Sequence, residues 1–169
     1  ESSFIDKLKK GDPESFEKLY EKYKHRILKM AYGFRPDPFF ADDILQDTMY
    51  KIYKGINKMK KDSKLSTWIY RVAYHCCIDG LRKTKKHGDN LPLETDIVSG
   101  DMGNRYKKMS KIRTVLGKLK KKEKEILILF YIDNFKINEL SEILGISESN
   151  AKVSLFRARK KAAEAAYEM

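Results

Sequence analysis

The sequence predicts an all-α fold of two small helical domains joined by a flexible linker. Three observations lead there. Apolar residues recur at intervals of three and four through most of the chain, as the buried stripe of a helix requires. Asp-Pro pairs stand at 12–13 and 37–38, an N-cap followed by a proline at the first helical position. Periodicity lapses between residues 84 and 105, where Gly88, Asp89, Asn90, Pro92, Ser99, Gly100 and Gly103 gather. No alternating strand pattern and no internal repeat is visible.

Each element follows from its own signals. After Asp12-Pro13, the residues Phe16, Leu19, Tyr20, Tyr23, Ile27, Met30 and Ala31 form one stripe, which Gly33 and Pro36 terminate. A second helix, opened by Asp37-Pro38, carries Ile44, Leu45, Met49, Ile52, Tyr53 and Ile56. Lys58 to Lys64 reads as a basic loop, and Ser66 as the cap of a third helix burying Ile69, Val72, Ala73, Cys76 and Leu81. Three such helices enclose one small core. Periodicity resumes at Met109, Ile112, Val115, Leu116 and Leu119, and another helix spans Glu123 to Tyr131. The expected domains are 1–86 and 106–169, with 87–105 as linker.

The chain closes on a helix, a tight turn and a second helix: Ile137 to Leu144, Gly145-Ile146-Ser147, and Glu148 to Lys161. Gly145 supplies the positive backbone angle that ends the first helix, and Ser147 caps the second. This is the shape of a major-groove reader. Ala151, Leu155, Ala158 and Ala162 are spaced to pack inward, while Asn150, Ser154, Arg157 and Lys161 share an outer face. Early residues of such a helix meet base edges and later basic ones meet phosphates. Ser149, Asn150, Lys152 and Val153 are therefore the base-edge candidates, and Arg157, Arg159 and Lys160 the phosphate candidates. A helical hairpin with a solvated basic face is the plainer alternative.

Charge supports a polyanionic partner. The net charge is +12, and 36 % of the residues are charged. Residues 1–85 hold 19 Lys and Arg against 12 Asp and Glu, residues 86–105 hold 2 against 4, and residues 106–169 hold 15 against 8. Two basic blocks thus flank a slightly acidic stretch. The longest apolar run, Ile126 to Ile132, is too short to span a bilayer, and no secretory signal is visible. Adjacent Cys76 and Cys77 form neither a disulfide framework nor a zinc-ligand spacing, so a reducing, cytoplasmic location is expected. No cofactor is expected.

Two further clusters stand out. Asp42, Asp43, Gln46 and Asp47 make an acidic patch on the second helix, suited to a basic partner or to the helix dipole. Trp68, Tyr70, Arg71, Tyr74, Arg82, Lys83, Lys85 and Lys86 interleave rings and cations, a pattern that stacks unpaired bases and follows a phosphate backbone. Core packing is the alternative for Trp68 and Tyr74.

Three segments in register resemble the compact extracytoplasmic-function class of bacterial RNA polymerase sigma factors. They are Ala41 to Thr48, Ser66 to Ala73 with Asp79 and Arg82 downstream, and Leu140 to Ser147 through Leu155 to Arg159. The resemblance implies a non-enzymatic subunit directing promoter recognition, DNA melting and transcription initiation. By it, Asp42, Asp43, Gln46 and Asp47 dock on the clamp coiled coil of the polymerase largest subunit. The loop from Asn57 to Thr67, with Lys60, Lys61 and Lys64, and the helix carrying Trp68, Arg71, Tyr74, His75 and Arg82 melt and read the −10 element. The C-terminal module reads the −35 element, with Ser154 on the reading helix, and sits on the flap of the second-largest subunit. The resemblance also implies an anti-sigma partner. His75 stands where the family often has Asn, and Ser154 where it often has Arg, so the promoter elements read here are expected to differ. A stand-alone helix-turn-helix regulator is the first alternative. A nuclease holding Mg²⁺ on Asp42, Asp43 and Asp47 is the second.

Overall fold

The computed structural model describes residues 2–60, 64–86, 114–132 and 134–168. The expected linker 87–105 lies outside the described residues. Among those described, every regular element is helical.

The N-terminal half is built from α1 (Ser2–Lys9), α2 (Pro13–Phe34), α3 (Pro38–Gly55) and α4 (Leu65–Lys86), with a 3-10 turn at Ile56–Lys58. Asp12 and Asp37 cap α2 and α3 as expected. The Asp12 carboxylate accepts from Ser15 N at 3.0 Å, and that of Asp37 from Phe39 N at 3.0 Å. These bonds satisfy amides that the first helical turn leaves unpaired. Helix α1 is an addition to the sequence reading. It is one short amphipathic stretch, tied to the fold by buried Leu8 and by the Gly11 turn at φ 77°. A second difference concerns Ser66, which lies inside the first turn of α4 rather than capping it, because the helix already starts at Leu65.

The C-terminal half comprises helical residues 114–118, α5 (Lys121–Leu127), a π-helical turn (Ile128–Ile132), α6 (Ile137–Leu144) and α7 (Glu148–Tyr167). The helix expected over Glu123–Tyr131 thus begins earlier and changes pitch at Ile128. Ile126, Leu127, Ile128 and Leu129 are all buried, so this stretch is covered around most of its circumference. It packs against α2 on one side and α6 on another. Asn134, at φ 54°, then turns the chain back toward α4.

Two separate cores were expected. Instead the buried residues of both halves form one continuous cluster, in which α4 packs on α6 and α2 on the π-helical turn. Cys76 and Cys77 are both fully buried in it.

Candidate nucleic-acid and protein interfaces

Helix α3 buries Phe40, Ala41, Ile44, Leu45, Thr48 and Ile52. That stripe turns Asp42, Asp43, Gln46 and Asp47 outward, and all four are exposed. Asp43, Gln46 and Asp47 border a groove of about 520 Å³, floored by Phe40 and Ile44 and closed on the α4 side by Gly80, Lys83 and Thr84. Gly80 permits that close approach, because a Cβ there would stand 2.8 Å from Ile44 Cδ1 and 2.9 Å from Phe40 Cε2. Lys51 of α3 meets Asp79 of α4 at 3.5 Å, and Arg82 meets the same carboxylate at 3.8 Å. The patch is therefore a shaped acidic edge with an apolar floor. Among the described residues, no group of three or more His, Cys, Asp or Glu side chains is placed to hold a metal.

Helix α4 supplies the second site. Arg71, His75 and Arg82 are exposed, as are Asn57, Lys60 and Lys64 before it, while Lys61 lies outside the described residues. Thr67 is buried and so faces the core. Trp68 is half-buried, its Cζ2 3.5 Å from where a Cβ on Gly55 would stand, so part of its ring is spent on packing α4 against α3. Tyr74 is half-buried between Phe34 and His75, at ring-centroid distances of 6.1 and 5.3 Å. Its hydroxyl donates to Glu125 Oε2 of α5 at 2.8 Å. Burial, with that carboxylate beside it, holds the phenol well above its ordinary pKa. Burial and the neighbouring Arg71 lower the pKa of His75.

The helix-turn-helix forms as the sequence predicts. The Lys136 amide donates to Glu139 Oε2 at 2.9 Å at the start of α6. Gly145 adopts φ 66°, and Ser147 Oγ accepts from Asn150 N at 3.1 Å to cap α7. Ala151, Leu155 and Ala158 are buried, which leaves Ser149, Asn150, Lys152, Val153, Arg157, Arg159 and Lys160 exposed. Ser154 is half-buried and donates to Asn150 Oδ1 at 3.4 Å. Arg159 departs from a plain phosphate contact. Its guanidinium lies 4.8 Å from the Phe130 centroid and 5.3 Å from that of Tyr131, so it is partly engaged within its own module. The sequence reading also passed over Phe156, which is 68 % exposed beside Val153 on the outer face. The i, i+3 spacing of these two apolar residues was its available signal.

Comparison with known proteins gives the family of the chain. Residues 19–87 match the family model of Sigma-70 region 2, and residues 109–161 match that of Sigma-70, region 4. The chain is 30 % identical to the RNA polymerase sigma factor YlaC of Bacillus subtilis, over 86 % of this chain and 88 % of that one. It is 28 % identical to the ECF RNA polymerase sigma factor SigW of the same organism, over 92 % of this chain and 91 % of that one. The chain belongs to the extracytoplasmic-function sigma factors. Its fold is similar to that of the sigma factor RpoE of Bartonella quintana, solved in complex with the anti-sigma factor NepR. The TM-score there is 0.65 at 18 % identity, covering 89 % of this chain and 95 % of that one. As a sigma factor, the chain is a transcription initiation factor and not itself an enzyme. The region 2 match, upstream of the helix-turn-helix, sets aside the stand-alone regulator. Among the described residues, no helix is long and apolar enough to cross a membrane.

Proposed function

We propose that this sigma factor divides its work by charge. The exposed carboxylates of Asp42, Asp43 and Asp47, with Gln46, dock on the clamp coiled coil of the core polymerase largest subunit. The loop before α4, with Trp68, Arg71, Tyr74, His75 and Arg82, opens and reads the −10 element. Helix α7 reads the −35 element through Ser149, Asn150, Lys152 and Val153. Arg157 and Lys160 meet phosphates there, as does Arg159 once its guanidinium leaves the rings of Phe130 and Tyr131. The C-terminal module rests on the flap of the second-largest subunit. The proposed division is 1–86 for the first module, 87–105 for the linker and 106–169 for the second. The protein works in the cytoplasm.

One observation carries this reading. A single chain exposes an acidic edge on α3 and basic faces on α4 and α7, each held outward by its own buried stripe. Two modules of modest individual affinity gain strength when one polymerase holds both on a single promoter. An anti-sigma partner that covers the polymerase-docking surfaces is proposed as well, supported by the fold shared with RpoE in its NepR complex.

Run-off transcription over a genomic library, with purified core polymerase and mapped start sites, tests the whole. Start sites that share two spaced elements and require the chain are expected. Absence of selective initiation overturns the reading.

A further inference from the structure

At about 100° per residue, Ser149, Val153, Phe156 and Lys160 fall within about 60° of one another on α7. The buried residues Ala151, Leu155 and Ala158 lie on the opposite side, so this line is the crest of the helix, turned furthest from the core. Its middle is apolar. Val153 is 46 % exposed and Phe156 68 % exposed, and at i, i+3 they are neighbours on the helix surface. A ring and an isopropyl group side by side in water gain free energy when another apolar surface covers them.

Cations flank the pair. Lys152 lies about 40° from Phe156 around the helix, Arg157 about 40° from Val153, and Lys160 follows along the crest, all three exposed. An apolar crest between cations fits a surface with anionic walls and an apolar centre. The major groove of duplex DNA is such a surface wherever thymine stands, because phosphates line its edges and the thymine C5-methyl group projects into it. Val153 and Phe156 are about 4.5 Å apart along the helix axis, and successive bases of a strand about 3.4 Å apart, so the two side chains reach neighbouring base pairs. Beside the crest, Ser154 donates to Asn150 Oδ1 at 3.4 Å, which engages the amide oxygen that a bidentate contact with adenine would use.

We propose that Val153 and Phe156 read the methyl groups of two consecutive thymines on one strand, so that the −35 element of this sigma factor contains a T-T step recognised by apolar contact. The inference rests on the proposed role of α7 at the −35 element and adds to it a residue, Phe156, and a chemistry, methyl recognition. Arg157 and Lys160 hold the helix to the phosphates while the crest meets the bases.

Uracil supplies the test, since it pairs as thymine does but lacks the methyl. Holoenzyme, assembled from core polymerase and the full chain, is offered a pool of random-sequence duplexes made with thymine and the same pool made with uracil, and the bound duplexes are sequenced. Burial of one methyl corresponds to about fourfold in affinity, and of two to about fifteenfold. In the thymine pool, the upstream of two spaced elements is expected to hold consecutive thymines. The preference for them is expected to fall about fifteenfold in the uracil pool. Phe156→Ala and Val153→Ala change exposed positions to a good helix former, so the fold is kept. Each is expected to lower the preference at one position about fourfold and to make that position indifferent to uracil. An undiminished preference in the uracil pool overturns methyl recognition. Sensitivity to uracil that both variants retain overturns its assignment to Val153 and Phe156. Weaker holoenzyme assembly by Phe156→Ala with unaltered base preference places the ring on the polymerase and overturns it too. An upstream element without consecutive thymines overturns this inference alone, whereas no upstream element in the wild-type selection overturns the −35 reading along with it.

Discussion

Replacing Tyr74 with Phe deletes one atom and leaves its ring contacts in place. The lost hydroxyl is the 2.8 Å donor to Glu125 Oε2, and Glu125 is only 6 % exposed. Hydrogen bonds to an ionised partner contribute about 1.5–3 kcal/mol, and more of that is felt when the partner remains buried and unsatisfied. Here both carboxylate oxygens would be left without a hydrogen bond, since Oε1 already has none. A loss of about 2 kcal/mol is expected, which at a urea m-value of about 2 kcal/mol/M lowers the unfolding midpoint by about 1 M. Adding Glu125→Leu to Tyr74→Phe removes the stranded charge and should recover more than half of that loss, because apolar replacement of both partners is close to neutral. A Tyr74→Phe midpoint within about 0.2 M of wild type would refute the reasoning, as would a double variant as unstable as the two single losses added.

The same bond predicts a pH dependence. The folded state raises the Tyr74 pKa above its ordinary 10.0, so in alkali the native chain holds a proton that the unfolded chain releases. Its contribution is complete below pH 10 and declines as pH rises beyond it, and Tyr74→Phe should flatten that decline in urea titrations. Asp43→Lys reverses an exposed charge on the α3 edge and should weaken core polymerase binding by about tenfold with unchanged thermal stability; equal affinity in a titration argues against docking there. Arg157→Ala should weaken −35 binding for all sequences alike and reduce the slope of log K against log salt by about one unit; an altered base preference with an unaltered slope contradicts a phosphate role. Ser147→Ala deletes the hydroxyl that accepts from Asn150 N and should cost about 1 kcal/mol in thermal unfolding.

Local chemistry made much of this protein readable in advance. Asp12-Pro13, Asp37-Pro38, Gly145 and Ser147 each act within one helical turn, so their caps and turn form wherever those residues occur in that order. The stripe on α3 likewise dictated that Asp42, Asp43, Gln46 and Asp47 face outward, since residues on the far side of a buried helix have nowhere else to go. The same periodicity separated Ala151, Leu155 and Ala158 from the exposed reading face of α7. The marked run of rings and cations on α4 was also visible, though not how each ring is used: Trp68 packs partly on Gly55, and Tyr74 turns to Glu125.

The union of the two halves was beyond any local signal. Glu125 lies 51 residues from Tyr74, and nothing in the spacing of either marks the other as its partner. Phe135 reads as a loop aromatic until the π-helical turn and left-handed Asn134 swing it against Tyr70 and Arg26. Periodicity reports which side of a helix seeks cover, because that depends on neighbours three and four residues away. Which element provides the cover depends on competition among all apolar surfaces of the chain at once, and only the packed molecule resolves it.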